Sequence, residues 1–136
     1  MKSKDFLRIT DLEAAEIKAL VKRAIELKSS LSPKPLAGRN ISLLFEKPSL
    51  RTKLSFDIGV HQLGGHPVYM GPTEVGIGDR ELVSDIAKVV SRYVDCIVAR
   101  VNSHSTIEEM GINASIPVIN ALSDFEHPCQ TLADLQ

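Results

Sequence analysis

Two hydroxyl side chains and a guanidinium lie close together at Ser49, Arg51 and Thr52, just after a short apolar run that ends at Phe45. A helical pattern begins at this point, and the first turn of a helix presents free backbone N–H groups and the positive end of the helix dipole. An arginine can hold an oxyanion there through two parallel hydrogen bonds. The segment therefore predicts a site for a phosphate-like dianion. The alternative is structural: Ser49 would cap the helix and Arg51 would be a solvated first-turn residue.

Polar side chains also follow two later apolar runs. Arg100 follows the run at 97–99, and His127 and Gln130 follow the run at 117–122. A histidine can donate a hydrogen bond to a carbonyl oxygen, and a glutamine can accept one from an amide NH2 group. Taken singly, Arg100 could be a surface residue at the end of a strand, and His127 a structural histidine. Together with the first segment they favour one shared site, because parallel sheets bind ligands beyond the carboxyl ends of their strands.

The apolar pattern predicts a scaffold in which strands alternate with helices. Short apolar runs predict strands at 41–45, 67–70, 96–101 and 117–122. The first predicted helix runs from a capping box at Thr10 and Glu13 to about Leu31, and the second follows Ser49, with Leu54, Ile58 and His61 on one side. The third is predicted at 81–93, with Ile86, Val89, Val90 and Tyr93 buried. A short helix is predicted from a capping box at Ser105 and Glu108 to Met110, and a last one begins at Pro128. A break at 32–35 and a glycine-bearing loop at 71–80 separate some of these elements. The alternation predicts an α/β fold, with a parallel sheet of about four strands flanked by helices on both faces.

Length and composition restrict the classes of protein. A chain of 136 residues with 43% hydrophobic and 24% charged residues is expected to form one soluble domain, residues 1–136. The formal net charge of -1 gives no reason to expect nucleic acid or a membrane as partner. With only Cys96 and Cys129, we expect a reducing, cytoplasmic setting. The histidine spacing predicts no metal site, and no base adjoins Cys129 in the sequence to make it a nucleophile.

Several segments together resemble a known family. The run FEKPSxRTxxSF at 45–56, followed by QLGG at 62–65, is similar to the carbamoyl-phosphate signature of the aspartate and ornithine carbamoyltransferases. The segments SRYxD at 91–95 and HPxQ at 127–130 fit the same family. The resemblance covers nearly the whole chain. It is greatest to the ornithine type, because HPxQ reads HPCQ here and the loop at 70–74 reads MGPTE.

The resemblance implies a role for each residue of the first segment. Ser49, the backbone of Leu50, Arg51 and Thr52 would hold the phosphate group of carbamoyl phosphate. Arg100 would bridge the phosphate group and the carbonyl oxygen.

At the carbamoyl end, the resemblance implies that His127 polarises the carbonyl group with help from Thr52. Gln130 and the backbone at Pro128 and Cys129 would hold the carbamoyl NH2 group. The implied reaction is direct transfer of the carbamoyl group to the amine of ornithine, giving citrulline and phosphate, without a metal or organic cofactor. The expected catalytic residues are Arg51, Thr52, Arg100 and His127.

The resemblance also implies a homotrimer, or a multiple of trimers, with sites between subunits. Leu50 stands where the family usually has Thr, which removes one hydroxyl donor, and Gly76 stands where ornithine enzymes often have a Gln that reaches a neighbour's ligand. The family's C-terminal amine-acceptor domain is absent from the sequence, so we expect binding of carbamoyl phosphate more readily than turnover. The alternatives are another acceptor (aspartate, putrescine or an acylated ornithine) and a trimerising binding module without catalysis.

Overall fold

The computed structural model describes residues 3–30 and 33–136, and the described residues contain one sheet of four parallel strands. The strands are β1 (Asn40–Phe45), β2 (His66–Met70), β3 (Cys96–Arg100) and β4 (Val118–Leu122), in the spatial order β2-β1-β3-β4. All four predicted strands are confirmed, with small differences at their ends. Such differences are ordinary for strand boundaries.

Helices connect and flank the strands. A 3₁₀ turn (Ile9–Asp11) precedes α1 (Ala14–Ser29), α2 (Leu50–Gln62) follows β1, α3 (Pro72–Val75) and α4 (Val83–Val90) follow β2, α5 (His104–Asn113) follows β3, and α6 (Pro128–Asp134) follows β4. No helix in the part of the chain that the structure describes is long and apolar enough to cross a membrane.

Both faces of the sheet are covered, which confirms the predicted fold class. Side chains alternate between the two faces of a strand. Leu43 therefore packs in one core with Val60 of α2, whereas Leu44 packs in a second core with Ile86 of α4 and Ile107 of α5. β1 is a central strand, and all of its residues after Asn40 are buried. The sheet thus holds the loops after β1 and β3 next to each other.

The outer edge of β4 is occupied by the N-terminal segment. The Phe6 N–H donates to the carbonyl of Val118, and the Asn120 N–H donates to the carbonyl of Phe6, both at 2.8 Å. A single residue therefore extends the sheet beyond β4.

The other edge of the sheet is β2. The His66 N–H donates to the Arg39 carbonyl at 2.8 Å, on the side of β1. Backbone groups alternate in direction along a strand. Pro67 and Tyr69 therefore direct their backbone groups away from β1.

The first helix begins after the predicted capping box of Thr10 and Glu13. Glu13 is itself the N-cap, and its N–H donates to the carboxylate of Glu16 at 2.9 Å. The prediction placed this cap one turn too early, because a 3₁₀ turn precedes the helix. The helix ends at Ser29, and the predicted end at Leu31 and the first residue of the predicted break lie outside the described residues.

The helix predicted at 81–93 is shorter than expected. α4 ends at Val90, and a turn leads from there into β3. Ile86 is buried and Val90 packs against the core, but Val89 and Tyr93 are exposed. The prediction that these last two side chains are buried was wrong, because Val89 lies on an exposed side of α4 and Tyr93 lies beyond the end of the helix.

Two further local predictions need correction. The capping box at Ser105 and Glu108 is wrong, because Ser103 is the N-cap and α5 runs past Met110 to Asn113. The loop predicted at 71–80 contains the short helix α3.

Two helices leave apolar side chains exposed. Leu54 and Ile58 share one side of α2, as predicted, but they are 52% and 51% exposed. α1 has no buried residue. A groove of about 710 Å³ lies along α1 and is lined by apolar side chains that include Ile17, Val21 and Leu135. These helices are held to the sheet by few buried side chains.

Candidate active site

The carboxyl ends of β1 and β3 lie side by side. Phe45 is paired in register with Arg100, and the Glu46 N–H donates to the Arg100 carbonyl at 2.8 Å. The Glu46 carboxylate also accepts from the Asn102 N–H at 2.7 Å, which ties the two loops together. The sequence interpretation assigned no role to Glu46. The sequence did carry a signal for this contact, because an acidic residue directly after a buried strand faces the adjoining loop.

Ser49 is the N-cap of α2. Its extended backbone starts the helix, and its hydroxyl oxygen accepts from the Thr52 N–H at 3.4 Å. The same hydroxyl donates to Thr52 Oγ1 at 2.9 Å. The capping role considered for Ser49 is thus present in the structure. It is compatible with anion binding, because capping satisfies only part of the free N–H groups of the first turn.

Thr52 joins two of the predicted segments. It is only 8% exposed, and its Oγ1 accepts from Arg100 Nη1 at 3.1 Å as well as from Ser49. A hydroxyl group has one proton to donate. With both acceptor positions of Thr52 occupied, its own O–H is available to a ligand.

Arg100 has a buried donor without a partner. Its Nε is buried, and no group among the described residues accepts a hydrogen bond from it. A buried unpaired donor costs about 1–3 kcal/mol, more when it is charged. An oxyanion at this position would remove that cost and would be held by a fixed guanidinium. The unpaired Nε is therefore the strongest sign of a ligand in this part of the chain.

His127 is held in one tautomer. It is the N-cap of α6, and its Nδ1 accepts from the Gln130 N–H at 3.3 Å. Partial burial, and then the positive charge of Arg100, lower the pKa of His127 below its usual range, while Asp134 opposes this shift. The ring is therefore neutral near pH 7, with its proton on Nε2. A neutral Nε2–H group can donate to a carbonyl oxygen.

Other predicted residues do not join the hydrogen bonds among Ser49, Thr52 and Arg100. Leu50 and Arg51 are exposed in the first turn of α2, and among the described residues the Arg51 guanidinium makes no hydrogen bond. The Gln130 side chain donates through Nε2 to Asp134 at 2.8 Å, along the surface of α6.

The structure gives Pro128 and Cys129 structural surroundings. Pro128 is buried at the start of α6. The Cys129 thiol donates to the Asn120 carbonyl at 3.5 Å, and burial raises its pKa to about 11. A thiol with this pKa is protonated near neutral pH.

Gly76 ends the short helix α3. It has φ +56°, and a Cβ on it would lie 2.8 Å from Cδ of Arg80. A glutamine would be strained in this conformation. The glycine is therefore explained by the turn that it forms.

No group of three or more His, Cys, Asp or Glu side chains within residues 3–30 and 33–136 could hold a metal ion. The donors that meet at Thr52 are the Arg100 guanidinium and the Ser49 hydroxyl, and the His127 ring is close enough to Arg100 to feel its charge. This set suits an oxyanion joined to a carbonyl group.

Comparisons with known proteins agree on one family. A family model described as "Aspartate/ornithine carbamoyltransferase, carbamoyl-P binding domain" matches residues 4–136. The ornithine carbamoyltransferase of Haloquadratum walsbyi is 46% identical over 134 residues, which are 98% of this chain and 45% of that protein. That of Methanocaldococcus jannaschii is 58% identical over 102 residues, 75% of this chain and 33% of that protein.

Solved structures show the same fold. The ornithine carbamoyltransferase of Thermus thermophilus superposes with a TM-score of 0.92 at 45% identity, over 99% of this chain and 47% of that one. An N-acetyl-L-ornithine transcarbamylase superposes with a TM-score of 0.88 at 32% identity, over 98% of this chain and 46% of that one.

Fold and site define an α/β domain with hydroxyl, guanidinium and imidazole side chains after the carboxyl ends of its strands. The chain belongs to the aspartate/ornithine carbamoyltransferase family, and it matches the carbamoyl-P binding domain of that family. It spans a little under half the length of the first relatives given above.

Proposed function

We propose that this chain is the carbamoyl-phosphate-binding half of an ornithine carbamoyltransferase. The observation that supports this most is the buried, unpaired Nε of Arg100 beside the Thr52 hydroxyl. The amine-acceptor site would lie in a second domain. This part of the proposal is supported by the relatives, which are about twice as long as the chain.

The phosphate group would bind at the start of α2. Ser49, Thr52 and the backbone N–H groups of Leu50 and Arg51 surround the positive end of the helix dipole. Arg51 is exposed, so its guanidinium would turn towards the phosphate only when the ligand is present. Arg100 would contact both the phosphate and the carbonyl oxygen.

The carbamoyl group would lie towards α6. There His127 Nε2–H and the Thr52 O–H would donate to the carbonyl oxygen, and Gln130 with the backbone at Pro128 and Cys129 would hold the NH2 group. Gln130 would first have to leave Asp134. A neutral His127 can fill this role, because its Nδ1 accepts from the Gln130 N–H and its proton is therefore on Nε2, where it can be donated in a hydrogen bond.

The reaction would then be direct carbamoyl transfer. The lone pair of the acceptor amine forms the new N–C bond, the bond between carbon and the phosphate oxygen breaks, and phosphate leaves with that electron pair and takes up the amine proton. Removal of one oxyanion donor typically lowers turnover by ~10²–10³. Thr52, Arg100 and His127 would supply those donors.

An acylated ornithine is a second candidate acceptor. It is favoured by the likeness to the N-acetyl-L-ornithine transcarbamylase. Higher identity to proteins named ornithine carbamoyltransferase favours ornithine. Ornithine as acceptor would place the enzyme in arginine biosynthesis, and the free thiols of Cys96 and Cys129 support a cytoplasmic setting.

A homotrimer, or a multiple of it, is part of the same proposal. The exposed apolar side of α2, with Leu50, Leu54 and Ile58, offers a surface that association could bury. Sedimentation velocity over a range of concentrations tests this part. A monomer at every concentration would contradict it for the 136-residue chain.

Calorimetry tests the proposed ligand. The chain is titrated with carbamoyl phosphate and separately with inorganic phosphate, and carbamoyl phosphate should bind more tightly. Arg100→Gln should weaken the binding of carbamoyl phosphate tenfold or more, because hydrogen bonds to a charged group contribute roughly 1.5–3 kcal/mol. Arg92→Gln, at an exposed arginine of the α4–β3 turn, is the matched control and should bind as the wild type does. Equal affinity in the Arg100 variant would refute the assignment.

A further inference from the structure

The loop between β4 and α6, residues 123–127, ends in His127 and contacts His104. His104 is only 7% exposed. Its Nδ1 lies 2.7 Å from Ser123 Oγ, its backbone N–H donates to Asp124 Oδ1 at 2.7 Å, and its ring lies 5.1 Å from the ring of Phe125. Three consecutive loop residues thus contact one histidine.

Arg8 sets the tautomer of His104. Arg8 Nε donates to His104 Nε2 at 3.0 Å, so that nitrogen carries the lone pair and Nδ1 carries the proton. Nδ1 therefore donates to Ser123 Oγ. Arg8 is fixed in turn by its ion pair with Glu108 and by its position 5.3 Å above the Phe125 ring. The imidazole can only donate towards the loop.

The contact continues from Ser123 to the residue before His127. The carbonyl of Glu126 accepts from Ser123 N–H at 3.1 Å, from Ser123 Oγ at 3.3 Å and from Asn120 Nδ2 at 3.3 Å. This carbonyl belongs to the peptide group that joins Glu126 to His127. Its orientation fixes where the His127 backbone starts α6, and hence where the imidazole cap lies.

We infer that His104 is a positioning residue, which acts through Ser123 and the Glu126–His127 peptide to hold the His127 ring in the Nδ1-acceptor, Nε2-donor state. This inference rests on the proposed function for its consequence, the discrimination between carbamoyl phosphate and phosphate. The alternative is that His104 only stabilises the fold, in which case its loss affects both ligands alike.

A double-mutant cycle separates these roles. In the 136-residue chain, His104→Ala should weaken the binding of carbamoyl phosphate about fivefold, which is the equivalent of one ordinary hydrogen bond. The affinity for phosphate should stay unchanged. In the His127→Ala background the same change should have less than about a twofold effect, because the group through which His104 acts is gone. Independent, additive losses would overturn the inference.

Conservative variants keep the experiment interpretable. His104→Asn retains an N–H in place of Nδ1–H and should restore most of the selectivity, whereas Ser123→Ala should reproduce the loss if His104→Ala does not fold. His66→Ala, at an exposed histidine where β2 begins, is the matched control and should change neither affinity.

A readout without ligand distinguishes the inference from the proposed function. Nitrogen-15 NMR of the imidazole rings should show His127 mainly as the Nε2–H tautomer in the wild type and as a mixture in His104→Ala. If the wild type does not bind carbamoyl phosphate more tightly than phosphate, the proposed function is wrong. The NMR measurement still tests the inference in that case, because it needs no ligand. An unchanged His127 spectrum in His104→Ala would overturn it.

Discussion

Thr52→Val tests whether the Thr52 hydroxyl joins the two halves of the site. Valine has nearly the same shape as threonine, so the change removes two hydrogen bonds without opening a large cavity. The bond from Arg100 Nη1 is charge-assisted and contributes roughly 1.5–3 kcal/mol, and the bond from Ser49 about 0.5–1.5 kcal/mol. Some of this is offset because the buried side chain becomes apolar.

We therefore expect the free energy of unfolding to fall by about 2 kcal/mol. For a chain of this length that corresponds to a fall in Tm of roughly 6 °C. Urea unfolding followed by circular dichroism gives the free energy, and thermal unfolding gives Tm. Both should show a single transition.

Thr52→Ser is the matched control, because it keeps the hydroxyl and removes only the methyl group. It should lose less than about 1 kcal/mol. A Val variant within about 0.5 kcal/mol of the wild type would refute the reasoning. So would equal losses in both variants, since the methyl group would then account for the effect.

Three further predictions concern other parts of the chain. The pKa of His127 is lowered in the folded chain from its usual value near 6.5, so the unfolded chain binds more protons below that pH and stability falls with falling pH. Between about pH 7.5 and 5.5 the free energy of unfolding should therefore decrease less in His127→Gln than in the wild type, and an unchanged pH profile would contradict the shift. Burial raises the pKa of both Cys96 and Cys129 to about 11. Iodoacetamide near pH 8 should therefore modify these thiols roughly a hundredfold more slowly than a free cysteine, which mass spectrometry can measure. Reaction at the rate of a free thiol would contradict this prediction. Amides of α1 should exchange with deuterium faster than those of α2, because α1 has no buried residue whereas α2 buries Thr52 and Val60; equal protection would contradict the expectation.

The sheet could be predicted because its residues carry a strong local signal. In β1, the run from Ile41 to Phe45 is buried on both faces, and such strands are apolar at successive positions. The helix ends were less predictable. Tyr93 fits a helical face, yet α4 stops at Val90, because the chain must reach β3 next to β1. The length of this helix is set by tertiary geometry, and the local sequence pattern does not indicate it.

Only part of the candidate site could be predicted as a set of residues, and its network of hydrogen bonds could not be predicted. The parallel-sheet rule placed Ser49, Thr52 and Arg100 at one edge, and their hydrogen bonds confirm that they meet. The tautomer of His127 and the partner of Gln130 depend on contacts within α6 that spacing does not reveal.

The two edges of the sheet have a consequence for aggregation. Exposed strand edges are templates for pairing with another chain. Phe6 already uses the outer N–H of Asn120 and the outer carbonyl of Val118, and Pro67 has no N–H to present on the outer side of β2. Neither edge offers a continuous ladder to a second copy. Pairing of copies through the edges of the sheet is therefore disfavoured, and the sheet is protected against growth into fibrils.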